Sequence, residues 1–467
     1  MNKAKKTGLT KKHWFGYMFG DWGGTMTFTL MGGVFTMFCT NALGVDTMLL
    51  GTLVIIWTIW DAINDPIMGA LMDKAFIRKQ DPRGKFRPWI LRATPLLAVT
   101  AIALWVVPTF FEGITLIVML FSVKILYEAT YTMFNIPMGS LLSAMSTNDV
   151  ERASLSSARG AGSGFGNAIP GIVAPLIIAV FGERDTTGYM IVGVGCALVG
   201  FIVCLLHYAM TEERTIVGAD TKADDIKLTD ILTVIRQNRP FVALCVHGVC
   251  NCTMQYGAIT LGMYMFSAVY HDVAYQSISS ILSAPFMVGA MVAIPFLCKK
   301  YDLEKLIRYS LLIGGVFCGV LFVMHMVMYV HPLVHGVMLG VGIGFSYVSV
   351  QMQWGLVGEA IDYNEYLTDK RTEGSIYGTF NLSRRVGQTI GQGFALYALG
   401  WIGYEGTAEI QTAGTIFGMK VLCVLLPAIF ILGSWAAFKF IWNITPEVRE
   451  KMKAKKLENA AAKAENN

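Results

Sequence analysis

The chain has 467 residues, of which 54% are apolar and 15% charged, with a formal net charge of +5 and a mean hydropathy of +0.53. A soluble globular chain carries roughly 25% charged residues, so this balance excludes an ordinary soluble domain and points to a protein built into a bilayer. The placement of the basic residues traces the net charge to membrane topology and away from nucleic-acid binding.

A membrane span needs about 20 mostly apolar residues. In chain order such spans are predicted near 14–38, 47–72, 89–108, 114–140, 155–181 and 188–210, and then near 241–268, 277–298, 306–330, 333–360, 373–400 and 413–440. The fold class is therefore all-α and polytopic, with 12 transmembrane helices as two six-helix halves. The expected divisions are a cytoplasmic N-terminus 1–13, an N-terminal bundle 14–210, a polar linker 211–240, a C-terminal bundle 241–440 and a tail 441–467. The tail, with KMKAKKLENAAAKAENN, reads as helix-prone or disordered, solvated or resting on the anionic inner leaflet.

Orientation follows from lysine and arginine. The N-terminus and the 73–92 loop (Lys74, Arg78, Lys79, Arg83, Lys85, Arg87, Arg92) are densely basic. The opposite loops near 39–46, 109–113, 181–187, 269–276 and 401–412 hold Arg184 as their only Lys or Arg. The positive-inside rule then places both termini in the cytoplasm. The nine cysteines lack ligand-like spacing, and Cys245, Cys250 and Cys252 read as packing thiols.

The second span carries Asp61 and Asp65, one helical turn apart, in GTLVIIWTIWDAINDPIMGALM. Two carboxylates at that depth require a cation, a proton or a fixed positive group. Sodium and protons both suit the pair, with Asn64 beside it and Thr132 of the fourth span as a further oxygen donor, so Asp61 and Asp65 are the candidate metal-ion ligands. The competing reading is that the pair neutralises Arg159 or another buried cation. Asp21, in FGYMFGDWGGTMTF, is placed either to bind or to cap and seal, and its neighbouring glycines favour close helix packing.

Further candidates line a solute pocket: Arg159 in ARGAGSGFGNAIPG, and Arg384 and Arg385 in the eleventh span, of which Arg385 is the expected bridge to the ion site. Gln351, Gln353 and Trp354 offer amides and a ring suited to a hydroxylated ligand, with Trp22, Tyr127, Tyr131, Tyr377 and Asn381 beside them. Lys124 and Glu128, one turn apart, are expected to neutralise each other. Glu359 and Asp362 facing Lys370 and Arg371, and Asp73 beside the DPRGKFRP loop with Arg83, form a candidate set of cytoplasmic latches.

WDAINDPIMG followed by RGKFRPW, together with FGDWGG, YTMFNIP and RTEGSIYG, resembles the melibiose-carrier group of the major facilitator superfamily, the glycoside–pentoside–hexuronide:cation symporters. The resemblance covers nearly the whole chain. It implies a cation site of Asp61, Asn64, Asp65 and Thr132, coupling to Na+ or H+, and alternating access between two halves. It also implies that the first-span sugar carboxylate falls on Thr25, one turn after Asp21, that the fourth-span Asp is replaced by Asn135, and that an aromatic platform is replaced by Gly139. With negative charge removed and Arg159 and Arg385 present, an acidic sugar such as a hexuronide or glucuronide becomes attractive beside neutral glycosides and pentosides. A lysolipid or other organic-anion carrier is the alternative, and a transport-dead sensor is a third class. No catalytic dyad or cofactor motif stands out, so the expectation is a non-enzymatic monomer of the bacterial inner membrane. It is expected to need no cofactor beyond the transported ion.

Overall fold

Inside hydrocarbon, backbone N–H and C=O groups must bond within their own segment, which makes helix the default for every apolar run. The computed structural model describes residues 8–78, 81–146, 148–214, 237–298, 300–368 and 373–465. Its helices are α1 Lys11–Thr29, α2 Gly33–Met37, α3 Thr47–Arg78, α4 Arg87–Val106, α5 Gly113–Met145, α6 Asp149–Phe181, α7 Thr186–Met210 and α8 Arg239–Tyr270. They continue as α9 Ala274–Cys298, α10 Leu303–Val327, α11 Pro332–Thr368, α12 Glu373–Thr389, α13 Ala395–Trp401, α14 Ala413–Lys420, α15 Leu426–Ala436 and α16 Pro446–Glu465. No strand occurs among the described residues.

Eight helical segments among the described residues are long and apolar enough to cross a membrane. The expected first, seventh, eighth and eleventh spans fall outside that group, and the first, seventh and eleventh carry Asp21, Gln255 and Arg384. The first is also not a single rod. It breaks at Leu30–Gly32, restarts as α2 and ends in a π-helical turn over Phe38–Ala42. Adjacent Gly32 and Gly33 explain the break, since each glycine weakens a helix by about 1 kcal/mol relative to alanine. The eleventh span likewise passes through a π turn at Ile390–Phe394.

Two compact units form. The first comprises Met1–Thr221 with His271–Ser277 and Gly403–Gln411; the second comprises Lys222–Tyr270, Ile278–Ile402 and Thr412–Asn467. In the first unit α1 packs on α6 and α7, α4 on α5 and α7, and α3 on α5. Small residues set the α1 seam: a Cβ at Gly20 would meet the His207 ring at 2.7 Å, and one at Gly162 would meet the Met18 carbonyl oxygen at 2.1 Å. His207, fully buried, donates Nδ1–H to the Gly16 carbonyl at 2.7 Å. In the second unit α8 packs on α12 and α15, and α10 on α11 and α15, around Phe241, Leu311, Leu356, Phe380 and Phe438.

The RGKFRPW loop has a physical explanation in the first unit. The Glu213 carboxylate, just past α7, accepts backbone N–H bonds from Lys85 (2.7 Å), Phe86 (2.7 Å) and Arg87 (2.9 Å), which caps the start of α4. Gly84 has φ +112°, and a Cβ there would lie 2.3 Å from the Glu213 carboxyl carbon, so this turn requires glycine. Glu213→Ala is expected to lower stability by about 2–3 kcal/mol, read as a fall in Tm of the detergent-purified protein. An unchanged Tm would remove the cap from the account.

Candidate functional site

Helices α3 and α5 are separated by one span, α4, so they run in the same direction, and they pack side by side. At the contact the Thr132 hydroxyl donates to Asp65 Oδ1 at 3.2 Å. Thr132 and Asn64 are buried, while Asp61 and Asp65 are partly buried. The Asn64 side-chain nitrogen bonds nothing among the described residues. Because amide O and N are assigned from hydrogen bonds, turning that amide over would offer an oxygen at the same place. The donor set is then two carboxylates, a hydroxyl and an amide. Hard oxygens of this kind suit Na+ or a proton. No group of three His, Cys, Asp or Glu side chains able to hold a metal ion occurs among the described residues.

A second polar centre joins α1 to α6. Arg159 donates Nε–H to Asp21 Oδ1 at 3.2 Å; the Asp21 side chain is 10% exposed and that of Arg159 42%. The Arg159 Nη atoms make no hydrogen bond among the described residues, and a Cβ at Gly139 would lie 3.5 Å from Nη1. The guanidinium thus occupies the room that an aromatic ring at 139 would need. Asp21 is the first-span residue against Arg159, whereas Thr25 packs over Gly166. Tyr131 stacks on Phe28 (5.0 Å) and Tyr127 (6.1 Å), so its ring is part of the helix packing. Asn135 is half-buried on the same helix.

In the second unit Trp354 stacks on Tyr377 at 5.2 Å and meets Phe380 edge-on at 5.4 Å. The guanidinium of Arg384, rather than Arg385, lies over its ring at 5.4 Å, a cation–π contact. Gln353 is buried, Gln351 and Arg385 are exposed, and Asn381 is half-buried. A network that the sequence reading missed runs through α8: Gln255 Nε2 donates to the Tyr347 hydroxyl at 2.9 Å, and the Ser346 hydroxyl to Asn251 Oδ1 at 2.7 Å. Its signal was the polar NCTMQYG inside an expected span.

The latch candidates have local partners. Arg83 chelates Asp81 of its own loop at 3.0 and 2.8 Å, and this bonding holds the Asp81 carboxyl well below its usual range. Glu359 pairs with Arg449 at 3.1 Å, and Arg449 also approaches Asp302 at 3.5 Å. Lys370, Arg371 and the Asp73 side chain lie outside the described residues, and Asp362 lines a cavity beside Glu359 and Arg449. Arg449 belongs to α16, so the tail docks as a helix with Lys455 donating to the Tyr366 carbonyl at 2.8 Å. Thr445 before Pro446 is the start signal in the sequence: its hydroxyl accepts from the Val448 N–H at 3.4 Å.

Helices of membrane length carrying buried carboxylates and arginine define a multi-pass membrane protein of the transporter class. The chain belongs to the MFS/sugar transport protein family, whose model matches residues 16–445. It is 27% identical to a glucuronide carrier protein homolog of Escherichia coli (strain K12), with 91% of each chain covered. It is also 27% identical to the uncharacterized symporter YjmB of Bacillus subtilis (strain 168), with 94% of each covered. The solved structure of a bacterial homologue of the human lysosomal transporter Spinster matches at TM-score 0.61 and 12% identity, over 94% of this chain and 100% of that one. The architecture is therefore the major facilitator fold expected from the sequence.

Arg449→Ala is expected to release α16. Protease nicking or amide exchange within Pro446–Glu465 should rise while the Tm of the helical body changes little, and unchanged protection would show that this ion pair does not dock the tail.

Proposed function

We propose that the protein is a cation-coupled symporter that imports a sugar or sugar derivative across the bacterial cytoplasmic membrane, with both termini cytoplasmic. The observation that carries this reading is the oxygen-donor cluster of Asp61, Asn64, Asp65 and Thr132, anchored by the Thr132–Asp65 bond. In hydrocarbon such a cluster is costly unless a cation or proton visits it. The likeness to a glucuronide carrier homolog and to a symporter supports the same reading. Alternating access then proceeds by loading of Na+ or H+ at Asp61 and Asp65, binding of solute, and release of both in the cytoplasm. Reciprocity requires that the ion and the solute raise each other's affinity by the same factor.

The solute is an acidic sugar. Arg159 uses Nε on Asp21 and leaves its Nη fork for a carboxylate, while Asp21 retains acceptor capacity for sugar hydroxyls. A neutral glycoside is the second reading, favoured by the Trp354–Tyr377 stack, which provides an apolar plate for a sugar ring.

The test is uptake of labelled uronides and neutral sugars into proteoliposomes under imposed Na+ or H+ gradients. Asp65→Asn is expected to abolish gradient-driven accumulation while leaving some solute binding; accumulation at the wild-type level would sink the assigned ion site. Arg159→Gln is expected to raise KM for a uronide about 30-fold, by loss of charge-assisted hydrogen bonds, with a much smaller effect on a neutral glycoside. Equal losses for both solutes would favour the neutral reading.

A further inference from the structure

One buried ion pair takes no part in the proposed cycle. Lys124 and Glu128, at i and i+4 of α5, form a salt bridge with side chains only 6% and 5% exposed. The Lys124 ammonium is enclosed by three rings, its Nζ lying 5.1 Å from the centroid of Tyr127, 5.7 Å from Phe35 and 5.9 Å from Trp57. The cage stabilises this ammonium through cation–π attraction, and the carboxylate adds to it.

The register of α3 against α5 places this pair beside the ion site. The Thr132–Asp65 bond fixes one level. Trp57, two turns earlier on α3, meets Lys124, two turns earlier on α5. Since the helices run in the same direction, Glu128 lies at the intermediate level with Asp61.

We propose that Lys124 and Glu128 are positioning residues that set the Na+ affinity of the Asp61–Asp65 site: Lys124 is a tethered cation that neutralises Glu128, so that the mobile ion meets two carboxylates rather than three. The inference rests on the cation-coupled reading above. Without the lysine, Glu128 adds a third negative charge one helical turn from the site. Without the glutamate, the lysine repels the incoming ion. A helical turn is about 5.4 Å, and at that range in a partly screened protein interior one uncompensated charge changes an ion's affinity by about ten-fold.

The experiment titrates the purified full chain with NaCl at fixed alkaline pH, following intrinsic tryptophan fluorescence, for wild type, Lys124→Met, Glu128→Gln and the double variant. Lys124→Met is expected to lower the half-saturating Na+ concentration about ten-fold and Glu128→Gln to raise it about ten-fold. The double variant, neutral as a unit, should return to within about two-fold of wild type. A pair that only holds α5 together moves both single variants in the same direction or leaves Na+ affinity unchanged, and either result overturns the inference. Should a single variant fail to fold, the neutral double variant decides: a shift beyond about five-fold overturns the proposal. A wild type that ignores Na+ overturns the sodium reading itself, an outcome distinct from a Na+-responsive wild type with unmoved variants.

Discussion

A carboxylate at the middle of a membrane helix costs about 3 kcal/mol on insertion, and the first unit is organised around that cost. Asp61 and Asp65 face a helix that supplies the Thr132 hydroxyl, and Asp21 is met by Arg159. The Asp21–Arg159 contact depends on helices being brought close. The seam of α1 against α6 and α7 exists because glycine leaves room for a neighbouring backbone or for the His207 ring. Without that closeness Asp21 and Arg159 would not reach each other, and the acid would remain uncompensated.

Much of this was legible in the sequence because hydrocarbon leaves the backbone few options. Apolar runs of sufficient length had to be helices, and Asp61 and Asp65, four residues apart, had to share a face. Thr132 was found as a plausible oxygen donor from its position in YTMFNIP, and the structure bonds it to Asp65. What periodicity could not supply was the rotation of one helix against another. Arg384 and Arg385 differ by about 100° around α12, and only packing against α11 shows that Arg384 covers Trp354. Thr25 and Asp21 are likewise one turn apart, and the choice between them depends on where Arg159 of α6 arrives. The Glu359 partner was missed for a different reason: a polar tail, helix-prone or disordered by sequence, has no apolar stripe to announce that it docks, so Arg449 did not stand out.

The two units carry different chemistry. Acidic and hydroxyl oxygen donors are concentrated in the first, where α3, α5 and α1 present them. The second offers amides, tyrosine hydroxyls and the Trp354–Tyr377 plate, with arginine over the ring. Oxygen donors in low dielectric discriminate by charge, whereas amides and aromatic faces discriminate by hydroxyl pattern and ring shape.

Fixed and mobile charges must also be distinguished within the first unit. In the proposed cycle, an ammonium tied to α5 and caged by three rings stays with the protein, whereas the coupling ion proposed for Asp61 and Asp65 is the one that leaves. A site with too many uncompensated carboxylates would hold its ion through the whole cycle, because release requires affinity low enough for the ion to depart. A site with too few would never fill. Glu128 without Lys124 pushes toward the first failure, and Lys124 without Glu128 toward the second. The pair is neutral together, yet each member bears on the ion through proximity. On that proposal the burial of the pair bears on transport through electrostatics as well as on the packing of α5 on α3.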